Sequence, residues 1–233
     1  MYENMIKHYI KMANPDSPIE YIRNISKDYI RNKIDQQILN CNKCNICNNN
    51  YKTITYGNTN SELIIIGNNP HKKEKNYPFE LEPVKDKLNT IFDFYNINKE
   101  YVFYMNVINC WPNTDNLDRA PSLEEINNCS QYTKNIIETI KPKAIILLGP
   151  APYNALRDSE FYNSFNNIKG QWVSILGIPA MVTHNIYDFE DKNKWTSIDD
   201  LTFAKEEFVD HFVEVFEKIK QDYPNNYLLS KGD

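Results

Sequence analysis

The sequence predicts an α/β fold: three layers, α/β/α, with a central, mainly parallel four-stranded sheet. Three observations carry this expectation. Short apolar runs recur, helical patterns lie between them, and a long amphipathic stretch follows the last run. The first run, Leu63-Ile64-Ile65-Ile66, is ended by Gly67. The second covers residues 102–108, the third is Ala144-Ile145-Ile146-Leu147-Leu148 before Gly149, and the fourth is Ala180-Met181-Val182-Thr183. Runs that are apolar at nearly every position suit strands buried on both faces, as parallel sheets require.

The intervening segments 83–97, 122–140 and 150–158 read as helices. Ser122-Leu123-Glu124-Glu125 has the form of a capping box, with Ser122 as cap and Glu125 three positions on. Residues 199–222 place Phe208, Phe212, Val215, Phe216 and Ile219 on one stripe, as a closing helix would. Upstream, residues 3–12 and 18–39 read as two helices parted by Asn14-Pro15-Asp16. No internal repeat or low-complexity linker interrupts the chain. The expected organisation is an N-terminal helical extension over 1–35, one core domain with its closing helix over 36–222, and a tail over 223–233.

Composition narrows the function classes. The formal net charge is −5, from 26 Lys+Arg against 31 Asp+Glu, which excludes a globally basic nucleic-acid coat but permits a local basic face. No stretch approaches the roughly 18 uninterrupted apolar residues of a membrane span. The first residues mix acidic and polar side chains into their apolar pattern, unlike a secretory leader. An intracellular protein is expected: cytoplasmic, nucleoid-associated or virus-encoded.

Five cysteines in such a chain argue for metal or chemistry more than for disulfides. Cys41-x2-Cys44 is followed at once by Cys47, and later by the single residues Cys110, after a strand, and Cys129, within a helix. A close pair plus two distant singles suits a cluster that ties the N-terminal segment to the core. Structural zinc more often uses two close pairs. Spacing alone leaves an iron–sulfur cluster, zinc and unligated buried cysteines all open.

Ligands of an open parallel sheet bind beyond the carboxyl ends of its strands. The residues there are Gly67-Asn68-Asn69-Pro70-His71, Asn106 to Cys110, Gly149-Pro150 and His184-Asn185. Position alone does not separate function from bland roles. An Asn at a strand end is often a turn former, a Phe after Pro is often core, and a lone His is often a solvated loop residue.

With these residues in view, the chain resembles the iron–sulfur branch (family 4 and its relatives) of the uracil-DNA glycosylase superfamily. The matching segments are Cys41-x2-Cys44 with Ile46, Ile54-Thr55-Tyr56-Gly57, Gly67 to His71, and Pro78-Phe79. They continue with Phe103 to Pro112, Asp118 to Cys129, Leu148-Gly149, Lys169 to Trp172, Gly177-Ile178-Pro179 and His184. Order and spacing hold from about residue 36 to about residue 190. The resemblance implies a [4Fe–4S] cluster held by Cys41, Cys44, Cys110 and Cys129, with Cys47 left out. The cluster would be structural, with no redox step.

The implied activity is a monofunctional, water-mediated DNA glycosylase acting on a flipped uracil or related pyrimidine, working as a monomer on DNA and on no membrane. Excising a base puts positive charge on the sugar and negative charge on the leaving base, so the protein must read the base edge, stabilise the anion and place a water. By resemblance Asn106 reads the edge, Phe79 stacks, and His184 donates to the base anion. Ile186 or Tyr187 would fill the vacated stack. Basic residues Lys72, Lys73, Lys75, Arg119, Lys169 and Lys192 would track phosphates.

The first motif departs from the branch. Where the branch has G-E-A-P-G, this chain has Gly67-Asn68-Asn69-Pro70-His71. Asn69 would orient the water beside Asn68, and His71 would sense the pyrimidine 5-position beside Gly67. Two other readings stay open: a relative that binds DNA or a protein without catalysis, and a zinc-stabilised nucleotide-binding module.

Overall fold

A computed structural model of the protein describes residues 18–48, 51–74, 76–115, 117–157 and 164–229. The helix expected over 3–12, and Lys75, lie outside the described residues. The first described helix, α1, spans Pro18–Leu39, so the boundary expected at residue 35 falls inside it. Ile34 and Ile38 of this helix are buried in the core.

The alternation of runs and helices becomes β1 (Leu63–Gly67), α2 (Val84–Phe94), β2 (Val102–Asn106), a small β3–β4 hairpin (Asn113–Thr114 and Leu117–Asp118), α3 (Leu123–Ile140), β5 (Ala144–Leu148) and α4 (Pro150–Leu156). The short α5 (Phe165–Ile168), β6 (Trp172–Ile175), β7 (Ile178–Thr183) and α6 (Ile198–Asp222) complete the order. Ser122 caps α3 as a full capping box: its side chain accepts from Glu125 N at 3.2 Å while Glu125 Oε2 accepts from Ser122 N at 2.7 Å.

The central sheet runs β2-β1-β5-β7-β6. It has five strands rather than the four expected. The first four are mutually parallel, and β6 is an antiparallel edge strand paired to β7. Two features hid β6. Its residues are half-buried rather than uniformly apolar. Its two-residue turn is Leu176-Gly177, at φ 51° and 78°. Both positions need positive φ, and Leu is not the residue that usually signals such a turn.

Strand side chains alternate between two cores. Ile64, Ile66, Phe103, Met105, Ile145, Leu147, Ala180 and Val182 face α1, α3 and α4. Leu63, Ile65, Val102, Ile146, Leu148 and Met181 face α2 and α6. The segment after α6 returns to the sheet: Leu228 is fully buried, and Tyr227 N and Leu228 N both donate to Glu62 Oε2 at 2.9 Å. Among the described residues no helix is long and apolar enough to cross a membrane.

Candidate active site and cysteine centre

The parallel register brings the strand ends together. Gly67 pairs with Asn106, and Leu148 pairs with Thr183, so the residues that follow share one end of the sheet. Asn106 is 1% exposed. Its Nδ2 lies 3.4 Å from Thr53 Oγ1, and its Oδ1 is buried without a protein partner. A buried acceptor left in this state is costly unless something else supplies a donor.

Gly67 has no side chain to keep that acceptor and Phe79 from closing on its backbone. A Cβ on it would lie 2.4 Å from Asn106 Oδ1 and 2.6 Å from Phe79 Cζ. Gly67, Asn106 and Phe79 are therefore mutual neighbours. Phe79 is buried and adopts φ 59°, the left-handed region that a bulky residue enters only when its surroundings hold it there. Its ring also lines a cavity of about 450 Å³ with Tyr56, Tyr77 and Tyr104.

Phe79 is packed in a stack that is braced by a carboxylate with no local sequence signature, Glu74. Phe79 lies against Tyr187 (centroids 6.2 Å, 23° between planes), and Tyr187 lies against His71 (5.6 Å, 14°). Beside them Glu74 is fully buried. It accepts from His71 N at 2.9 Å and from the Tyr187 hydroxyl in a short contact, and it takes a further bond from the Phe79 backbone. Burial pushes the Glu74 carboxyl above the usual carboxylate range, against these donors. Burial and the adjacent Glu74 push the Tyr187 phenol up. Glu74 sits in an otherwise basic stretch, Lys72 to Lys75, where charge patterning alone marks it as surface. Its only sequence signal is that it stands alone among cations.

The remaining first-motif residues sit at the same end. Asn69 is half-buried, and its Nδ2 donates to Pro70 O at 3.0 Å. Asn68 Oδ1 is buried without a partner. Asn68 meets Gly149 and Asn185: a Cβ on Gly149 would lie 3.1 Å from both Asn68 Oδ1 and Asn185 Cβ.

His184, 7% exposed, turns its Nε2 to Glu207 Oε2 on α6 at 3.0 Å. The same oxygen takes Lys169 Nζ at 2.7 Å. Burial lowers the His184 pKa below its usual value, opposed by Glu207. The phosphate-tracking candidates are mostly engaged elsewhere. Arg119 forms a two-pronged pair with Glu125, at 2.8 and 2.5 Å. Lys72 lies over the Trp111 ring at 5.5 Å, while Lys73 and Lys192 are exposed. Ile186 is fully buried in the α2/α6 core, so its side chain is not presented at the surface, and Tyr187 is tied to Glu74.

The cysteines gather on the opposite core. Cys110 and Cys129 are buried, and Cys41, Cys44 and Cys47 are half-buried. Lys52 donates to Cys41 O at 3.0 Å and is bridged to Cys110, joining the first pair to the end of β2. Asn128 Nδ2 reaches Lys43 O at 3.2 Å, joining the pair to α3. Burial pushes the Cys110 thiol up to about 12 and the Cys129 thiol up to about 11, each reinforced by the other cysteines. Four buried or half-buried sulfurs that repel one another as thiolates suit a cationic group among them. Among the described residues, no three His, Cys, Asp or Glu side chains converge closely enough to hold a single metal ion. The donor set is all sulfur, the soft type that both iron–sulfur clusters and zinc take.

Fold and site together define an α/β protein with Asn106, Phe79, His184 and the Gly67–His71 loop gathered at the ends of its parallel strands. Residues 54–202, well over half of the chain, match the uracil DNA glycosylase superfamily, and the chain belongs to that superfamily. Three similar relatives carry the type-4 name. The chain is 26% identical over 144 residues to a protein of Sulfurisphaera tokodaii called Type-4 uracil-DNA glycosylase, a match covering 60% of this chain and 64% of the relative. Proteins of the same name from Archaeoglobus fulgidus (29% over 123 residues; 50% and 58%) and Saccharolobus solfataricus (31% over 119 residues; 50% and 54%) are also similar. The match thus spans between about half and two-thirds of these relatives' length.

Proposed function

We propose that this protein is a monofunctional DNA glycosylase that removes uracil, or a closely related pyrimidine, from DNA by water-mediated cleavage of the N-glycosidic bond. The observation that carries this reading is the buried, unpartnered Asn106 Oδ1 packed with Gly67 and Phe79 at the carboxyl ends of β1 and β2. A uracil edge offers an N3–H donor to that oxygen and a carbonyl to the amide nitrogen. Cytosine offers an acceptor at N3 and mismatches it. Phe79 supplies the stacking face, and the strained backbone that presents it is held by Glu74 and Tyr187.

Asn69 Nδ2 is engaged by Pro70 O, which leaves Asn69 Oδ1 as the acceptor that orients a water. Asn68 supports that loop against Gly149. His184 is the donor to the departing base anion, a role worth ~3–4 kcal/mol for a preorganised group. His71, stacked on Tyr187, is the side chain that senses a 5-substituent. Tyr187, Arg119 and Lys169 border the DNA face.

Cys41, Cys44, Cys110 and Cys129 would hold a [4Fe–4S] cluster, which supplies structural cross-linking of α1, β2 and α3 when bound. The chain would act as a monomer, with 36–222 as the glycosylase-like unit. Incubation with single- and double-stranded oligonucleotides carrying one uracil, followed by alkali, tests the activity. Strand scission at the uracil is expected. Intact strands alongside retained binding would favour a DNA-binding relative without catalysis.

A further inference from the structure

We propose that Glu207, on α6 and beyond the residues that match the superfamily, is the positioning residue of His184: it fixes a proton on Nε2 and opposes, by its charge, the burial that disfavours the charged ring. The inference rests on the excision reading above and adds a residue to it.

Glu207 Oε2 lies 3.0 Å from His184 Nε2 and 2.7 Å from Lys169 Nζ. Burial pushes the Glu207 carboxyl up, but the contacts with Lys169 and His184 more than offset this and leave it below the usual carboxylate value. An ionised carboxylate can only accept, so Nε2 must carry the hydrogen of this contact. In a neutral ring Nδ1 is then an acceptor. It becomes a donor to a base anion only when the ring takes a second proton.

The groups around the ring oppose one another. Glu207 from α6 and Asp188 from the turn after β7 favour the charged ring. Lys169, just before β6, disfavours it, as does burial, and His211 from α6 is a further cation-forming neighbour. Phe189 and Trp195 flank the imidazole, with centroids at 5.9 and 6.1 Å, so the ring is wedged sideways while Glu207 sets its rotation. Glu207 is carried on a 25-residue helix anchored in the core, a rigid support for an orienting group.

The test uses the full-length protein and a uracil oligonucleotide, with single-turnover excision followed across pH for wild type, Glu207→Gln and Lys169→Met. Glu207→Gln is expected to slow the chemical step at least about tenfold with oligonucleotide affinity retained. Its alkaline limb should move to lower pH by about 1 unit or more, as loss of an adjacent opposite charge implies. Lys169→Met should move the same limb to higher pH, because it removes a cation from beside the ring. Imidazole ¹⁵N shifts, assigned with His184→Gln, provide a readout without turnover: Nε2–H in the neutral ring, and a lower ring pKa in Glu207→Gln. A wild-type rate and profile in Glu207→Gln, or a neutral ring protonated at Nδ1, would overturn the proposal. If wild type excises nothing while the ¹⁵N shifts behave as stated, the excision reading fails and the positioning of His184 by Glu207 stands.

Discussion

Gly67 and Asn106 are register partners on adjacent parallel strands, and the missing side chain of one lets the unpaired amide oxygen of the other approach its backbone. Gly67 is needed for close approach rather than for an unusual φ. Gly67→Ala should therefore cost about 1–3 kcal/mol by overpacking against Asn106 and Phe79. It should lower uracil excision far more than the fall in stability accounts for. Urea denaturation and single-turnover excision at a temperature where both proteins are folded measure the two effects separately. Wild-type excision by this variant would place the base slot elsewhere.

Glu74 and Tyr187 join the loop after β1 to the turn after β7 across 113 residues of sequence. Tyr187→Phe removes one donor from a fully buried carboxylate and should cost about 1–3 kcal/mol. Glu74→Gln should cost a similar amount, and the double variant should cost less than the sum, since both remove one interaction. A double-mutant cycle by urea denaturation reads the coupling. Strict additivity would show that the clamp contributes nothing as a pair. Because the clamp holds Phe79 at φ 59°, both variants should also raise the KM for uracil-containing DNA.

His184 and His211 give the fold a pH dependence. Burial lowers both pKa values below the usual 6.5, and His211 Nδ1 is in addition bonded to Thr183 Oγ1 at 2.8 Å. The unfolded chain then binds more protons than the folded one as pH falls through about 6.5. Stability is fully present above that value and declines below it. Thermal unfolding between pH 8 and 5 should show a falling Tm on the acid side, less steep in His211→Gln. A Tm that rises on acidification through this window would contradict the burial of both rings.

The cysteine centre predicts unequal roles for five similar residues. Anaerobically purified protein should carry about four irons per chain, with absorbance near ~400 nm. Serine at Cys41, Cys44, Cys110 or Cys129 should lower the iron content and the Tm. Cys47→Ser should leave both near wild type. Zinc in place of iron, or equal losses at all five positions, would reject the assignment.

The parallel strands were legible because full burial on both faces writes an uninterrupted apolar run, as in Leu63 to Ile66 and Ala144 to Leu148. The α3 start was legible because Ser122 and Glu125 satisfy each other locally. β6 was not, since an edge strand needs only half its side chains apolar and its turn uses Leu176. The strand-end candidates Gly67 and Asn106 were legible from topology alone, because a parallel sheet aligns its carboxyl ends. Glu74 and Glu207 were not. Each acts through a tertiary contact, with Tyr187 and with His184, that no local pattern encodes. Ile186 failed as a surface candidate for a related reason: the turn after β7 folds it inward against α6.

The most direct test of the account is single-turnover excision of uracil from a defined oligonucleotide by wild type and by Asn106→Ala, with matched folding verified by thermal unfolding. The account predicts an abasic product from wild type and a rate at least about 100-fold lower in the variant, as loss of edge-reading contacts at a buried polar site implies. Equal rates in the two proteins would contradict it.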